Sequence, residues 1–480
     1  MTFTSLTYLL FLPTVFAVYW LLRNRTHQNL WLAAASYFFY GWWDWRFCFL
    51  MAISSLVDYV AAIGIENSET TRVRRFILSL SCVVNFGMLG FFKYANFFSD
   101  NIRAVAAAAG IPMSEFTIQV TLPVGISFYT FQTMSYAFDV YFRKMRASRN
   151  LIDYLAYVSF FPQLVAGPIE RATHFLPQFG VPRTFDLDQA RSGCRQIIWG
   201  VVKKLLLADN FALTVDLCYG DVAAHNGLQL AFATFCFALQ IYCDFSAYSD
   251  IATGTARLFG FELMRNFAYP YFSQDVTEFW RRWHISLSTW FRDYIFFPLG
   301  GSKVGPLLRT RNIMLTFVLS GLWHGASWNF IIWGFLNGLA LLPAVLRGTR
   351  HHLKPTDTPG GESLWPGLWT VGKILLTFVF IGFTWIFFRA QTLSDSATII
   401  QKIAFDLTNS SAWEHIVVGR RLNLILPAFL LVEWIQRRHE HPLVLPWTPR
   451  WARWILYTIL IWGTLMFMPG ASSPFIYFQF

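Results

Sequence analysis

The run SGLWHGASWN (Ser320–Asn329) decides how the rest of the chain is read, because it sets an imidazole inside one of the most apolar stretches, residues 312 to 346. A helix that crosses a bilayer needs roughly 20 mostly apolar residues, and this stretch is long enough. An ionisable side chain at that depth is expensive, and its default reading is functional. The glycines add to this. Gly321 and Gly325 form one G-x-x-x-G pair and Gly334 and Gly338 a second, a spacing that lets a neighbouring backbone approach closely. On a continuous helix, Trp328 lies four residues beyond His324 and walls the same side.

The composition of the whole chain agrees. Of 480 residues, 55% are hydrophobic, 19% aromatic and 14% charged, which leaves too little polar surface for a soluble protein of this size. No hydrophilic block is long enough to fold alone, so the reading is one membrane-embedded domain over residues 1–480. Apolar runs fall near residues 4–22, 30–42, 45–65, 76–92, 118–142, 151–168, 196–219, 228–250, 312–346, 368–389, 422–436 and 452–468. Some must be tilted, broken or re-entrant. The expectation is an all-α polytopic protein with about nine to twelve transmembrane helices plus re-entrant or interfacial helices. The first run, Leu6 to Leu22, lacks a basic region before it and a small-x-small cleavage site, and reads as a retained helix. Residues 347–367, containing KPTDTPGGESLWPG, form the clearest Pro/Gly-rich linker.

A formal net charge of +11 points to nucleic acid only in a soluble protein. Here the basic residues cluster between apolar runs: Arg23 and Arg25, then Arg72, Arg74 and Arg75, then Arg143, Lys144, Arg146 and Arg149. That is the pattern of cytoplasmic loops. No basic residue precedes Leu6, so the N-terminus is expected outside, and nucleic acid is not an expected partner. The six cysteines form no C-x-x-C pair and read as small core residues. Asp58, Asp139, Asp244 and Asp250, scattered among apolar runs, read as structural partners of nearby groups.

The stretch FSQDVTEFWRRWHISLSTWFRDYIFFPLGG (Phe272–Gly301) is too polar to face lipid and too aromatic for a solvated loop. Polar or irregular backbone at membrane depth survives where it is buried in protein or lines a cavity. This segment is therefore expected as a short re-entrant or interfacial element beside a cavity, and it carries a second histidine, His284. Two histidines on adjacent elements suit a base and an orienting or polarising group. Desolvation favours neutral imidazole, the form that acts as a base. Such a base can take the proton of a sugar hydroxyl as its oxygen attacks a thioester carbonyl, help typically worth about 10² to 10⁴ in rate. Two plainer readings stand beside it: a buried histidine satisfied by a helix partner, and a metal pair, for which no third ligand with recognisable spacing is present. Ser127 in PVGISFY is not a G-x-S-x-G elbow, and no Walker A pattern occurs.

Five blocks in order carry a resemblance: LPVGISFYTFQTMSYAFDVYF (Leu122–Phe142), YVSFFPQLVAGPIER (Tyr157–Arg171), QIYCDFSAYSDIATGTARLFGF (Gln240–Phe261), FWRRWHISLSTWFRDYIFFPLGG (Phe279–Gly301) and LSGLWHGASWNFIIWG (Leu319–Gly334). Together they resemble the membrane-bound O-acyltransferase superfamily, most closely the bacterial branch of the alginate O-acetyltransferase membrane subunit. The signature covers about residues 5–390, and the C-terminal helices of about 391–480 carry little of it.

The resemblance implies a ring of helices around a thinned centre, with a tunnel from a cytoplasmic acyl donor to the external side of a bacterial inner membrane. It implies that His324 is the histidine of the family's W-H-G motif and that His284 fills the second motif position. It implies an acetyltransferase that passes acetyl groups outward for O-acetylation of an extracytoplasmic polysaccharide, alginate first. Periplasmic acetyltransferase partner proteins, or another carrier, then act as direct acceptors. The same chemistry on cellulose, on peptidoglycan or, as D-alanylation, on teichoic acid remains open, as does a non-catalytic transporter or scaffold for the donor. Acetyl-CoA is the expected donor, with no bound cofactor and no metal. Trp280, Arg282, Asp293, Trp323 and Asn329 are expected as tunnel walls and polar support, against a plain packing role for each.

Overall fold

The computed structural model describes residues 1–114, 122–347, 358–361, 363–407, 422–445, 448–470 and 473–478. Most of the expected linker, and the start of the 118–142 run, lie outside the described residues. Among those described, regular structure is helical throughout, as the sequence requires. The chain divides into two compact units, Met1–Ala190 with Thr255–Met264, and Arg191–Gly254 with Arg265–Phe480.

The first unit holds α1 (Leu6–Leu21), α2 (Arg25–Gly41), α3 (Arg46–Asn67), α4 (Thr71–Leu89), α5 (Ala95–Ala108), α6 (Ile126–Tyr141), α7 (Leu151–Ser159) and α8 (Ala172–Phe179). Side-chain oxygens of Ser5, Asn24 and Asn150 accept from the first free N–H groups of α1, α2 and α7, which fixes where those helices begin. A π-helical turn, Gly90–Tyr94, joins α4 to α5 as one rod. The core is aromatic, with the rings of Phe179 and Phe160 tilted against Phe261 at centroid distances of 4.6 and 5.0 Å. Asp58 on α3 is fully buried and accepts from Ser81 and, at 3.0 Å, from Asn85, both on α4. Asp139 pairs with Lys144 at 3.4 Å.

The second unit opens within α9 (Leu187–Val201) and continues through α10 (Asp209–Gly220) and most of α11 (Gly227–Leu258). It then holds the short α12 (Val276–Arg282) and α13 (Ile285–Phe291), followed by α14 (Pro306–His324), α15 (Trp328–Leu346), α16 (Leu368–Arg389), α17 (Leu393–Phe405), α18 (Leu422–Gln436) and α19 (Arg450–Phe467). A π-helical stretch, Val202–Ala208, carries two buried lysines. Lys203 meets Asp250 at 2.6 Å, and Lys204 meets Asp209 at 2.8 Å and Asp244 at 3.0 Å. Buried charges persist only when paired in this way.

Among the described residues, five stretches are long and apolar enough to cross a membrane: Arg46–Asn67, Thr71–Ala108, Gly227–Leu258, Trp328–Leu346 and Leu368–Arg389. The chain is a multi-pass membrane protein. The expected nine to twelve crossings also counted shorter runs, which fold as helices such as α1, of 16 residues, and α18, of 15. Two expected spans are corrected. The 151–168 run is helical only to Ser159, then turns through the buried Phe160, Phe161 and Leu164. The 312–346 run is two helices, broken at Gly325–Ser327.

That break explains the glycines. A Cβ on Gly321 would sit 2.1 Å from the Phe330 carbonyl oxygen, and one on Gly334 would sit 2.3 Å from that of Phe317. The two G-x-x-x-G pairs therefore belong to two helices packed backbone to backbone, not to two faces of one. Trp328 opens α15 beyond the turn and is 51% exposed, so it is not one turn along the same helix as His324.

Candidate active site

The Phe272–Gly301 stretch folds into helices too short to span a bilayer. Asp275 caps α12, its Oδ1 accepting from the Glu278 N–H at 2.8 Å, and α12 ends after seven residues at Arg282. The backbone then reverses through His284, whose φ of 43° and ψ of 54° are left-handed. A non-glycine residue there costs about 1–3 kcal/mol and persists only where its surroundings over-determine it. Two backbone bonds do so: Ala268 N–H donates to Arg282 O at 3.0 Å, and Ile285 N–H donates to Asn266 O at 2.9 Å. The side chain is held as well, with His284 Nδ1 3.1 Å from Asn266 Oδ1. Phe245 meets the ring edge-on at a centroid distance of 4.6 Å. His284 is 1% exposed and lies outside the five spanning stretches, and burial pushes its imidazole down to about 3.

His324 is the last residue of α14, 3% exposed, in a cage of rings. Trp323, Trp333 and Phe388 have centroids 5.0, 5.1 and 5.1 Å from it. Its Nδ1 lies 3.2 Å from the Tyr477 hydroxyl. Both histidines line one cavity of about 540 Å³, within the size range of small-ligand sites. Its walls are mostly apolar, with Trp280, Phe317 and Leu341 among them, while Thr316, Ser320, Arg281 and Arg292 add polar groups. A largely apolar pocket lined by two imidazoles suits proton transfer during group transfer.

The supporting residues expected from sequence divide. Trp280 lines the cavity and donates from Nε1 to Asn337 Oδ1 at 3.3 Å. Trp323 packs near both histidines, its centroid 6.1 Å from His284 and 5.0 Å from His324, but does not line the cavity. The other three also lie off the cavity wall. Arg282 is buried in an ion pair with Glu278 at 2.9 Å. Asp293 pairs with Arg292 at 2.8 Å. Asn329 ties the start of α15 to the end of α16, donating to Ala390 O at 2.7 Å.

Two residues at the site carried no sequence signal. Asn266 lies 18 positions before His284 in an irregular segment without a motif. Tyr477 lies 153 positions after His324, in the part of the chain with little signature. Buried charge holds its segment in place: Lys204 Nζ donates to Ser473 O at 2.9 Å, and Asp244 Oδ2 accepts from Ile476 N–H at 2.8 Å. Among the described residues no group of three His, Cys, Asp or Glu side chains converges with metal-binding geometry.

Comparisons with known proteins bear on this geometry. A sequence profile described as "MBOAT, membrane-bound O-acyltransferase family" matches residues 143–381, which include both histidines. The chain is 36% identical over 503 aligned residues, all of both chains, to a Pseudomonas putida protein named "Probable alginate O-acetylase AlgI". An Azotobacter vinelandii protein of the same name is 41% identical over 396 residues, 82% of this chain and 76% of that one. A "Peptidoglycan O-acetyltransferase" of Helicobacter pylori is 34% identical over 432 residues, covering 83% and 78%.

Proposed function

Because the chain belongs to the membrane-bound O-acyltransferase family, we propose that it transfers acetyl groups through the membrane for O-acetylation of an extracytoplasmic polysaccharide, alginate first. The observation that carries this is the pair of buried histidines on one largely apolar cavity. The donor in this reading is a cytoplasmic acetyl thioester, acetyl-CoA, and the direct acceptor is a hydroxyl on a periplasmic partner protein or other carrier. The membrane is the bacterial inner membrane, with the N-terminus outside.

The reaction follows from the side chains. His324, as a neutral base, takes the proton of the acceptor hydroxyl while that oxygen attacks the thioester carbonyl. The tetrahedral intermediate collapses, the C–S bond breaks, and the thiolate leaves, receiving the proton from the imidazolium. Apolar walls exclude water, which would otherwise hydrolyse the thioester. His324 closes α14, and the free carbonyls of a helix C-terminus favour the positive charge that the ring carries after the first step. The Tyr477 hydroxyl at Nδ1 restrains the ring's orientation.

The experiment is acetyl analysis of surface polysaccharide in cells carrying His324→Ala, with membrane insertion checked by immunoblot. Acyl transfer at His324 predicts at least a hundredfold loss of acetyl. Acetylation retained by a normally inserted variant overturns the catalytic reading in favour of a donor transporter or scaffold.

A further inference from the structure

The surroundings of His284 determine which of its ring nitrogens carries the proton. Asn266 Oδ1 lies 3.3 Å from the backbone N–H of Ser286, 2.9 Å from Ser286 Oγ and 3.1 Å from His284 Nδ1. On the other side of the same amide, Asn266 Nδ2 donates to Ser249 Oγ at 3.1 Å. A backbone N–H can only donate, so the Asn266 atom facing Ser286 is the oxygen and not the NH₂. An oxygen facing His284 Nδ1 requires Nδ1 to be the donor. In the neutral ring, Nε2 then holds the lone pair.

We propose that Asn266 is a positioning residue that fixes His284 as its Nδ1–H tautomer, so that the neutral ring offers a lone pair, and not an N–H, at Nε2. This rests on the acyltransferase reading and narrows it. Of the two roles open to a second histidine, orienting the nucleophile or polarising the carbonyl, only the first is compatible with a lone pair at Nε2. His284 Nε2 accepts the hydroxyl's one hydrogen bond as the acceptor docks, and that hydrogen turns to His324 when the oxygen attacks, while oxyanion stabilisation comes from other groups. The left-handed turn at His284 belongs to the same arrangement, since it brings Nδ1 and the Ser286 N–H onto one oxygen. Charged and titratable groups on the elements around the ring are Arg281, Arg292 and His324 on the cavity wall, the Glu278–Arg282 pair on α12, Arg265 beside Asn266, Tyr477 from the C-terminal segment, and Tyr242, Asp244 and Asp250 on α11, the last two paired with Lys204 and Lys203 of the π-helical stretch.

Two substitutions separate positioning from mere packing. Asn266→Asp keeps an oxygen at Nδ1 and adds a negative charge that stabilises the imidazolium. Asn266→Leu keeps the bulk and removes the acceptor. With detergent-purified protein and radiolabelled acetyl-CoA, Asn266→Leu is expected to lower kcat about 10- to 100-fold with KM within about threefold. Asn266→Asp is expected to recover most of the rate above pH 8 while moving the acidic limb of the kcat profile up by about one pH unit or more. Equal losses in both variants with an unmoved pH profile, or wild-type kcat in Asn266→Leu, overturn the proposal. If wild type transfers no acetyl from any thioester, the acyltransferase reading fails instead. The tautomer is then decided separately by ¹⁵N NMR of histidine-labelled protein, with His284 assigned by difference against His284→Gln. A protonated Nδ1 upholds the proposal, and a protonated Nε2 overturns it.

Discussion

The Tyr477 hydroxyl that reaches His324 Nδ1 can be removed while its ring stays in place, so that contact can be tested with little disturbance to packing. The Tyr477 ring also packs against Phe245 at a centroid distance of 4.5 Å and against Phe475 at 5.7 Å, contacts that phenylalanine keeps. Tyr477→Phe should leave expression and melting temperature near wild type and lower the acetylation rate about tenfold, by loss of one restraint on the imidazole. Tyr477→Ala should lose more, because the ring also closes the cage around His324. Initial acetyl-transfer rates beside thermal melting check both. His284 carries a prediction for pH. Its folded form is held neutral by burial, down to about 3, whereas an unfolded histidine binds a proton near 6.5. The unfolded state therefore binds more protons below that value, so this contribution is fully present above about pH 6.5 and is lost as pH falls from there toward about 3. Wild-type melting temperature should fall more steeply between pH 7 and pH 5 than that of His284→Asn; parallel curves would refute the assignment.

At the scale of elements, the α14–α15 hairpin delivers His324, and its glycines set how closely the two helices pack. A methyl on Gly321 meets the Phe330 backbone carbonyl at 2.1 Å, and backbone cannot step aside. A methyl on Gly338 meets Phe317 Cβ at 3.1 Å and the mobile Met314 thioether at 3.2 Å. Gly321→Ala should therefore cost about 1–3 kcal/mol or more by overpacking and reduce activity with stability. Gly338→Ala should be mild, and the two melting temperatures in detergent decide the point. The helices themselves were legible from apolar runs: 368–389 became Leu368–Arg389, and 452–468 became Arg450–Phe467. The break at Gly325 was not, because Ala326 and Ser327 are small enough to sit in a helix and no charge or proline marks the turn. What ends α14 is tertiary, since a Cβ on Gly325 would fall 2.1 Å from the Phe330 ring. The same limit hid Asn266 and Tyr477. Periodicity reports neighbours a turn apart on one helix, whereas Asn266 reaches its histidine from an irregular segment and Tyr477 from a single 3-10 turn 153 residues away.

At the scale of the molecule, the first unit bears on orientation, because charges that sequence could only count are now placed together. Arg149 reaches Glu66 and Asn67, each at 2.9 Å, which puts the loop after α6 at the same end as the loop after α3. Arg25 approaches Asp153 at 3.8 Å, and Asn29 donates to Asp153 at 2.7 Å, which brings the start of α2 to the start of α7 at that end. All three basic clusters, at 23–25, 72–75 and 143–149, therefore share one end of the unit. Such an end faces the cytoplasm under the positive-inside rule. Because α1 leads from the N-terminus to the first of these clusters, the arrangement supports the proposed placement of the N-terminus on the external face. An epitope tag before Met1 should bind antibody on intact spheroplasts, whereas the same tag inserted between Ser68 and Glu69 should bind only after permeabilisation. Each tagged protein must still acetylate polysaccharide in cells. The reverse pattern would invert the orientation, and labelling of both tags on intact cells would mean that α1 to α3 do not cross in alternation.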